Sequence, residues 1–128
     1  MSYYFSKIVT SSFDDTVIKV TEELKKEGFG ILTEIDVKET LKKKLNVDFR
    51  RYKILGACNP PFAYKALTAE NKIGTMLPCN VIVQEISKGQ VEVTAIDPVA
   101  SMQAVGNPAL KEIASEISNK LKSVIDRV

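Results

Sequence analysis

The segment that follows Asn107-Pro108 carries the pattern that most constrains the fold. Its apolar side chains recur every three or four residues, at Leu110, Ile113, Ile117, Leu121 and Val124. This is the spacing of one face of an α-helix. A helix with a single apolar face has to bury that face against another layer of the protein. The pattern therefore predicts a long C-terminal helix that lies on a sheet or on other helices.

A second long amphipathic helix is predicted near the N-terminus. It begins after Ser12, whose side chain can cap it, and ends at Gly28. Its apolar positions are Phe13, Val17, Val20 and Leu24. Two shorter helices are predicted over residues 37–45, where Asp36 is the cap, and over residues 62–71, where Asn59-Pro60-Pro61 is the opening.

Five segments rich in β-branched and aromatic residues have the character of strands. They are residues 2–10, 29–35, 52–58, 79–86 and 91–97. The resulting order is β-α-β4-α with two short inserted helices. One mixed or mainly antiparallel five-stranded sheet, with both long helices on one face, buries every apolar stripe. We therefore predict a two-layer α+β fold, and the length of 128 residues predicts a single domain, residues 1–128.

The composition excludes several kinds of function. The chain has no histidine, which removes Ser-His-Asp and Cys-His nucleophiles and every histidine-containing metal site. No apolar run approaches the roughly 20 residues of a membrane-spanning helix. The N-terminus lacks the basic and apolar regions of a secretory signal. We therefore expect a cytoplasmic protein with no membrane span, whose two cysteines stay reduced.

Three separated phrases carry a family resemblance. They are YKILGACNPPFAYKAL, GTMLPCNVIVQE and VTAIDP. In this order they resemble the prokaryotic family called domain of unknown function 302, and the likeness extends over nearly the whole chain. The resemblance implies a small α+β domain that associates with itself. It implies no established reaction and no catalytic residue.

Both cysteines stand beside an asparagine and close to a proline, in GACNPPF and LPCN. Across the turn Ser87–Gln90, one hairpin register sets Ile86 opposite Val91 and Asn80 opposite Asp97. A bulged turn shifts the register and sets Cys79 opposite Asp97 instead. If the third and fourth strands are antiparallel neighbours, five side chains converge on one rim of the sheet: Cys58, Asn59, Cys79, Asn80 and Asp97. A parallel arrangement would separate the two thiols by a strand length, about 17–20 Å.

That rim has three interpretations. Cys58, Cys79 and Asp97 could hold zinc or another soft metal, within a ligand-binding rim that also includes Asn59 and Asn80. A thiol lowered in pKa by the following helix N-terminus could act in redox or transfer chemistry. The same residues could instead be structural corners, because free cysteine is usually a small buried apolar group.

Residues 38–53 form a separate basic segment, with Phe49 and Tyr52 among seven lysines and arginines. Such a segment can bind phosphates and stack bases, or it can be the solvated face of a short helix. The net charge of +2 does not decide between them.

The function that we favour from the sequence is a homodimeric cytoplasmic binding or sensing domain without turnover, whose pocket is the cysteine-bearing rim. The alternatives are a thiol-dependent redox or transfer enzyme, and a nucleic-acid or phosphate-binding protein that uses residues 38–53.

Overall fold

A computed structural model describes residues 2–128 of the chain. Its sheet and helices confirm the predicted α+β class. The strands are β1 (Tyr4–Val9), β2 (Gly30–Asp36), β3 (Tyr52–Cys58), β4 (Cys79–Ser87) and β5 (Gln90–Ile96). The helices are α1 (Phe13–Lys26), α2 (Val37–Leu45), α3 (Pro60–Ala69), α4 (Pro98–Ser101) and α5 (Pro108–Arg127). Single 3-10 turns lie at Ile73–Met76 and Gln103–Val105. Among the described residues, no helix is both long enough and apolar enough to cross a membrane.

The five strands form one antiparallel sheet in the order β1-β5-β4-β3-β2. Strands β2 to β5 each pair with their neighbours in sequence, whereas β1 pairs with β5. Strands β3 and β4 are therefore antiparallel neighbours, with Ala57 opposite Cys79. Antiparallel pairing of β3 and β4 was the condition for Cys58 and Cys79 to lie on one rim of the sheet, and this condition is met.

The two long helices cover the same face of the sheet. Buried side chains from β4 and β5 form one cluster with buried side chains from α1 and α5. The sheet contributes Val81, Val83, Val91 and Val93, and the helices contribute Val20, Leu24, Leu121 and Val124. Each such side chain stabilises the fold by roughly 1.5–3 kcal/mol when it leaves water. This main core explains why each helix has one apolar stripe.

The opposite face of the sheet, which we call the open face, is not covered by α1 or α5. By the strand register, its apolar and aromatic residues are Tyr4, Ile8, Ile35, Tyr52, Ile54, Ile82 and Ile96, and its polar residues include Ser6, Asn80, Gln84, Glu92 and Thr94. Tyr4, Ile8 and Ile35 are 43%, 52% and 46% exposed. The sheet thus presents an apolar surface to solvent on this side.

Three predicted helix starts are confirmed by their caps. Ser12 Oγ accepts a hydrogen bond from the Asp15 amide, and Asp36 Oδ1 accepts one from the Glu39 amide. Asn107 Oδ1 accepts from the amide of Ala109 at 3.0 Å, which begins α5. Each cap satisfies an N–H group that has no partner inside its helix.

The β4–β5 hairpin has the bulged register. Glu85, and not Ile86, lies opposite Val91, because the pairing shifts between Glu85 and Ser87. The register with Ile86 opposite Val91 is therefore wrong. Continued to the start of β4, the observed register sets Cys79 opposite Asp97.

Candidate functional site

The first residue of β4, Cys79, lies inside the protein. Its side chain is 9% exposed and belongs to the main core, next to Ala57 across the β3–β4 ladder. A cis peptide bond joins the two preceding residues, Leu77 and Pro78. The second cysteine phrase therefore begins a buried strand at the edge of the core.

The first cysteine phrase ends the neighbouring strand. Cys58 is half-buried and pairs with Gly30 of β2. Asn59 follows it at the cap position of α3, but its side chain makes no capping bond there. Instead, Asn59 Nδ2 donates to the carbonyl of Glu27 at 3.0 Å, and the side chain is 7% exposed. Asn59 thereby ties the β3–α3 junction to the end of α1.

A cavity of about 330 Å³ lies beside these residues, between α3, α5 and the strand ends. Cys58, Asn59 and Cys79 line it together. Most of the other lining groups are apolar: Phe29, Leu32, Ala57, Ala63, Ala66, Leu67, Leu77, Pro78, Pro98, Met102, Ile113, Ala114 and Ile117, with Gly74. The volume falls within the range of small-molecule sites, roughly 300–1,000 Å³. We call this space the cysteine cavity.

The cysteine cavity exists because the side chains that surround part of it are small. Ala57 of β3, Ala63 and Ala66 of α3, and Ala114 of α5 all face it. The cavity also lies where two hydrophobic clusters meet: the main core, and a smaller one built around Ala66, Ile73 and Leu110. The alanines leave space that the larger side chains of either cluster do not fill.

The sequence did not point to these alanines or to Met102. One signal was present: Ala63 and Ala66 stand three residues apart on one face of α3. Small residues at that spacing, opposite Ala114 on a second helix, fill little of the space between the two helices.

Burial sets the chemistry of the Cys79 thiol. Removal from water raises the pKa of Cys79 from 9.0 to about 11, and the nearby Cys58 adds to the shift. At neutral pH the group is therefore a thiol and not a thiolate. Nucleophilic cysteines need the opposite shift. The redox or transfer alternative gains no support from Cys79.

The predicted metal ligands do not form a three-ligand site. Within residues 2–128, no group of three or more histidine, cysteine, aspartate or glutamate side chains is arranged to hold a metal ion. Cys58 and Cys79 line the cavity, but Asp97 does not. Asp97 caps α4, since its Oδ1 accepts from the amide of Val99 at 3.0 Å. The structure thus places two members of the proposed zinc set, Cys58 and Cys79, at one cavity and the third, Asp97, at the start of α4.

Asn80 lies apart from the cysteine cavity as well. It follows the buried Cys79 in an extended strand, so its side chain points to the other side of the sheet. There it is exposed and lines a shallow depression with Tyr4 and Tyr52. Of the five predicted rim residues, the fold thus brings three to one cavity and leaves Asn80 and Asp97 outside it.

The basic segment is largely neutralised by its neighbours. Four of its cations form ion pairs with carboxylates: Lys42 with Asp48, Lys43 with Glu39, Arg51 with Asp14, and Lys53 with Glu34. The guanidinium of Arg50 lies over the Phe49 ring, 4.4 Å from its centroid. Because these cations and this ring already contact partners within the protein, they are less available to bind a phosphate or to stack on a base. The nucleic-acid alternative is therefore not supported.

Comparison with known proteins decides the family. The family model for the domain of unknown function DUF302 matches residues 5–128. The chain belongs to the DUF302 family. A solved structure, described as the crystal structure of the uncharacterized conserved protein DUF302 from Bacillus stearothermophilus, is similar to this DUF302 chain with a TM-score of 0.91. The two are 32% identical over 99% of this chain and 98% of that chain. No curated protein matches the sequence.

Membership of the DUF302 family confirms the resemblance carried by the three sequence phrases. All three phrases contribute residues that line the cysteine cavity of this DUF302 domain, between Ala57 and Leu67, between Gly74 and Cys79, and at Pro98. The geometry of that cavity is therefore the basis for a functional proposal.

Proposed function

We propose that this DUF302 protein is a binding or sensing domain that takes a small apolar molecule into the cysteine cavity. One observation carries the proposal: a cavity of about 330 Å³ remains between two otherwise buried clusters and has an almost wholly apolar lining. Small-molecule sites are typically concave and mostly apolar, as this one is.

The two cysteines contribute shape and polarisability in this proposal. A neutral thiol behaves as a small apolar group with a weak S–H donor. Because the Cys79 thiol keeps its proton up to a pKa of about 11, it adds no charge to the cavity wall. Asn59 is also engaged elsewhere, since its amide donates to Glu27. The occupant is therefore recognised mainly by the apolar area that it buries.

Binding would couple two helices. An occupant would contact Ala63 and Ala66 on α3 and Ala114 on α5, and so replace contacts that are now missing. A ligand that binds only the folded state raises its stability by mass action. This is the physical basis of a sensing role without turnover.

The test uses 1-decanol, an uncharged aliphatic probe, with calorimetric measurement of affinity and melting temperature. Ala114→Leu fills the cavity from α5, and the matched control Ala109→Leu places the same side chain at an exposed position of the same helix. Saturable binding is expected for the wild type and Ala109→Leu, with a loss of about tenfold or more for Ala114→Leu. Ala63→Leu fills the same space from α3 and serves if Ala114→Leu fails to fold. Equal binding by a folded cavity-filling variant and the control would reject the proposal.

A second proposal concerns self-association: the open face pairs with a second copy of the chain. Its polar side chains already bond to one another, since Ser6 and Thr94 share a 2.8 Å hydrogen bond and Gln84 donates to Glu92 at 2.9 Å. Arg50 Nε joins this network, since it donates to Gln84 Oε1 at 2.8 Å. An apolar face of this kind can meet its own copy across a two-fold axis.

We also propose a cytoplasmic location, in keeping with two cysteines that are free.

A further inference from the structure

We infer that the occupant of the cysteine cavity is an amphiphile, namely an unbranched aliphatic carboxylate whose charged end lies beside Lys111. This inference rests on the proposed function and adds the chemical class of the ligand to it. It follows from a second hollow next to the first, from the charge of the residues around both hollows, and from the side chain that separates them.

The second hollow, which we call the head hollow, has a volume of about 300 Å³. Met102 and Ala114 line both the head hollow and the cysteine cavity, so the two spaces lie on either side of the same side chains. The head hollow has a more polar lining, which includes Gln103, Asn107 and Lys111. A molecule that extends from one space into the other passes from an apolar to a polar environment.

The charges favour an anionic head group. Neither hollow has an aspartate or a glutamate among its lining residues, and Lys111 is the one cationic side chain that lines either of them. Glu70 lies outside both linings, where its Oε1 accepts from Asn107 Nδ2 at 3.3 Å. Because one ammonium balances one negative charge, a singly charged carboxylate fits better than a doubly charged phosphate.

Met102 is suited to separate the two spaces. Methionine is unbranched and flexible, so it can change rotamer without disturbing the helices beside it. Ala114, which lines both spaces together with Met102, has only a methyl side chain and fills little of the passage between them. A narrow, unbranched chain can therefore lie between Met102 and Ala114, whereas a ring or a branched chain would need more room.

The cavity volume sets the length of the chain. About 330 Å³ holds roughly twelve to fourteen carbon atoms at the packing density of protein interiors. Within that length, each further methylene removed from water should tighten binding about fourfold. Beyond it, added methylenes remain in solvent and should contribute little.

The experiment is a calorimetric titration of the wild-type protein with octanoate, decanoate, dodecanoate and tetradecanoate, each below its micelle-forming concentration. We expect affinity to rise about fourfold per methylene up to dodecanoate and to level off near tetradecanoate. We also expect decanoate to bind about three- to fivefold more tightly than 1-decanol at low salt, an advantage that 0.5 M NaCl removes.

The head group is tested by Lys111→Met, with Lys122→Met as the matched control. Both lysines are exposed on α5, and Lys122 lies about three turns further along the helix. Lys111→Met should remove the preference for decanoate over 1-decanol, whereas Lys122→Met should keep it. Equal affinities of the wild type for decanoate and 1-decanol, unchanged in Lys111→Met, would overturn the head-group assignment and leave the apolar cavity in place. A failure of both probes to bind would overturn the cavity proposal itself.

Discussion

Gly56 of β3 lies opposite Thr33 of β2, so close that a β-carbon on Gly56 would overlap the hydroxyl oxygen of Thr33. The same β-carbon would stand 2.8 Å from Cγ of Pro78. The first residue of GACNPPF is thus a glycine because no side chain fits there, and the two cysteine phrases touch through Gly56 and Pro78.

We expect Gly56→Ala to lower the free energy of unfolding by about 1–3 kcal/mol, the usual cost of forcing extra volume into a packed site. Urea denaturation of the two proteins measures the difference. Gly30→Ala is the control, because a β-carbon on Gly30 meets nothing within 4 Å. Similar destabilisation by both substitutions would mean that the crowding at Gly56 is not its cause.

Cys79 should be resistant to alkylation in the folded protein. Its pKa of about 11 leaves almost no thiolate at pH 7.5, and its side chain is 9% exposed. We expect iodoacetamide to modify the half-buried Cys58 first, and Cys79 only after urea unfolds the chain. Peptide mass spectrometry distinguishes the two sites. Rapid modification of Cys79 in the folded protein would revive the thiol-chemistry alternative.

The same pKa predicts a loss of stability in alkaline solution. The folded state holds the Cys79 proton more tightly than the unfolded state, whose thiol has a pKa near 9.0. The contribution of Cys79 is therefore complete below pH 9 and is lost as the pH rises towards 11. We expect Cys79→Ala to reduce this alkaline loss, at a cost of about 1–2 kcal/mol at neutral pH. Urea midpoints at pH 7.5 and pH 10 provide the comparison.

Glu23 should make the protein sensitive to acid. Its carboxylate is buried and accepts hydrogen bonds from Lys26 Nζ at 2.8 Å and from Arg127 Nε at 3.4 Å. The bond from Lys26 lowers the pKa of Glu23 most, burial opposes it, and Arg127 lowers it further. The stability that Glu23 contributes is therefore present above pH 4.5 and is lost as the pH falls through its folded-state pKa.

We expect Glu23→Gln to be less stable than the wild type at pH 7 and to differ from it less at pH 3.5. Glu22→Gln is the control, since Glu22 is the adjacent glutamate and is exposed. Urea midpoints at the two pH values measure the effect. A pH dependence that is the same in Glu23→Gln and Glu22→Gln would contradict this role.

The open face predicts which substitutions should separate two copies of the chain. Ile82 lies on its central strand β4, so we expect Ile82→Lys to convert dimer to monomer in sedimentation velocity. Ile18→Lys introduces the same charge at a position on α1 that is 57% exposed, and should leave the dimer intact. A wild-type protein that sediments as a monomer at high concentration would refute the proposed dimer.

Local features could be predicted from the sequence because the atoms involved are close along the chain. Ser12, Asp36 and Asn107 each bind an amide two or three residues ahead, so their roles are evident in the residue order. The apolar stripe of α5 is local in the same sense. These features were sufficient to give the α+β class.

The site could be predicted only in part, because it depends on contacts between distant segments. The proximity of Cys58 and Cys79 required the order and direction of the strands, which the sequence left open. Asn59 bonds to Glu27, 32 residues away, and nothing near Asn59 indicates that partner. A cavity is harder still to predict, because it is space that no side chain fills. The hydrophobic pattern of the sequence marks Ala66 as apolar, but it does not show whether the folded protein leaves space beside that residue.

The position of β1 has a consequence for how the protein folds. Its partner β5 is the last strand to be synthesised, so β1 cannot pair while β2, β3 and β4 join across the connections that contain α2 and α3. Closing so long a loop is slow, because chain entropy is lost before contacts compensate for it. Lys7 of β1 then donates to the carbonyl of Asp126, near the end of α5. β1 can therefore dock only after β5 has been synthesised, and until then one edge of β5 remains unpaired.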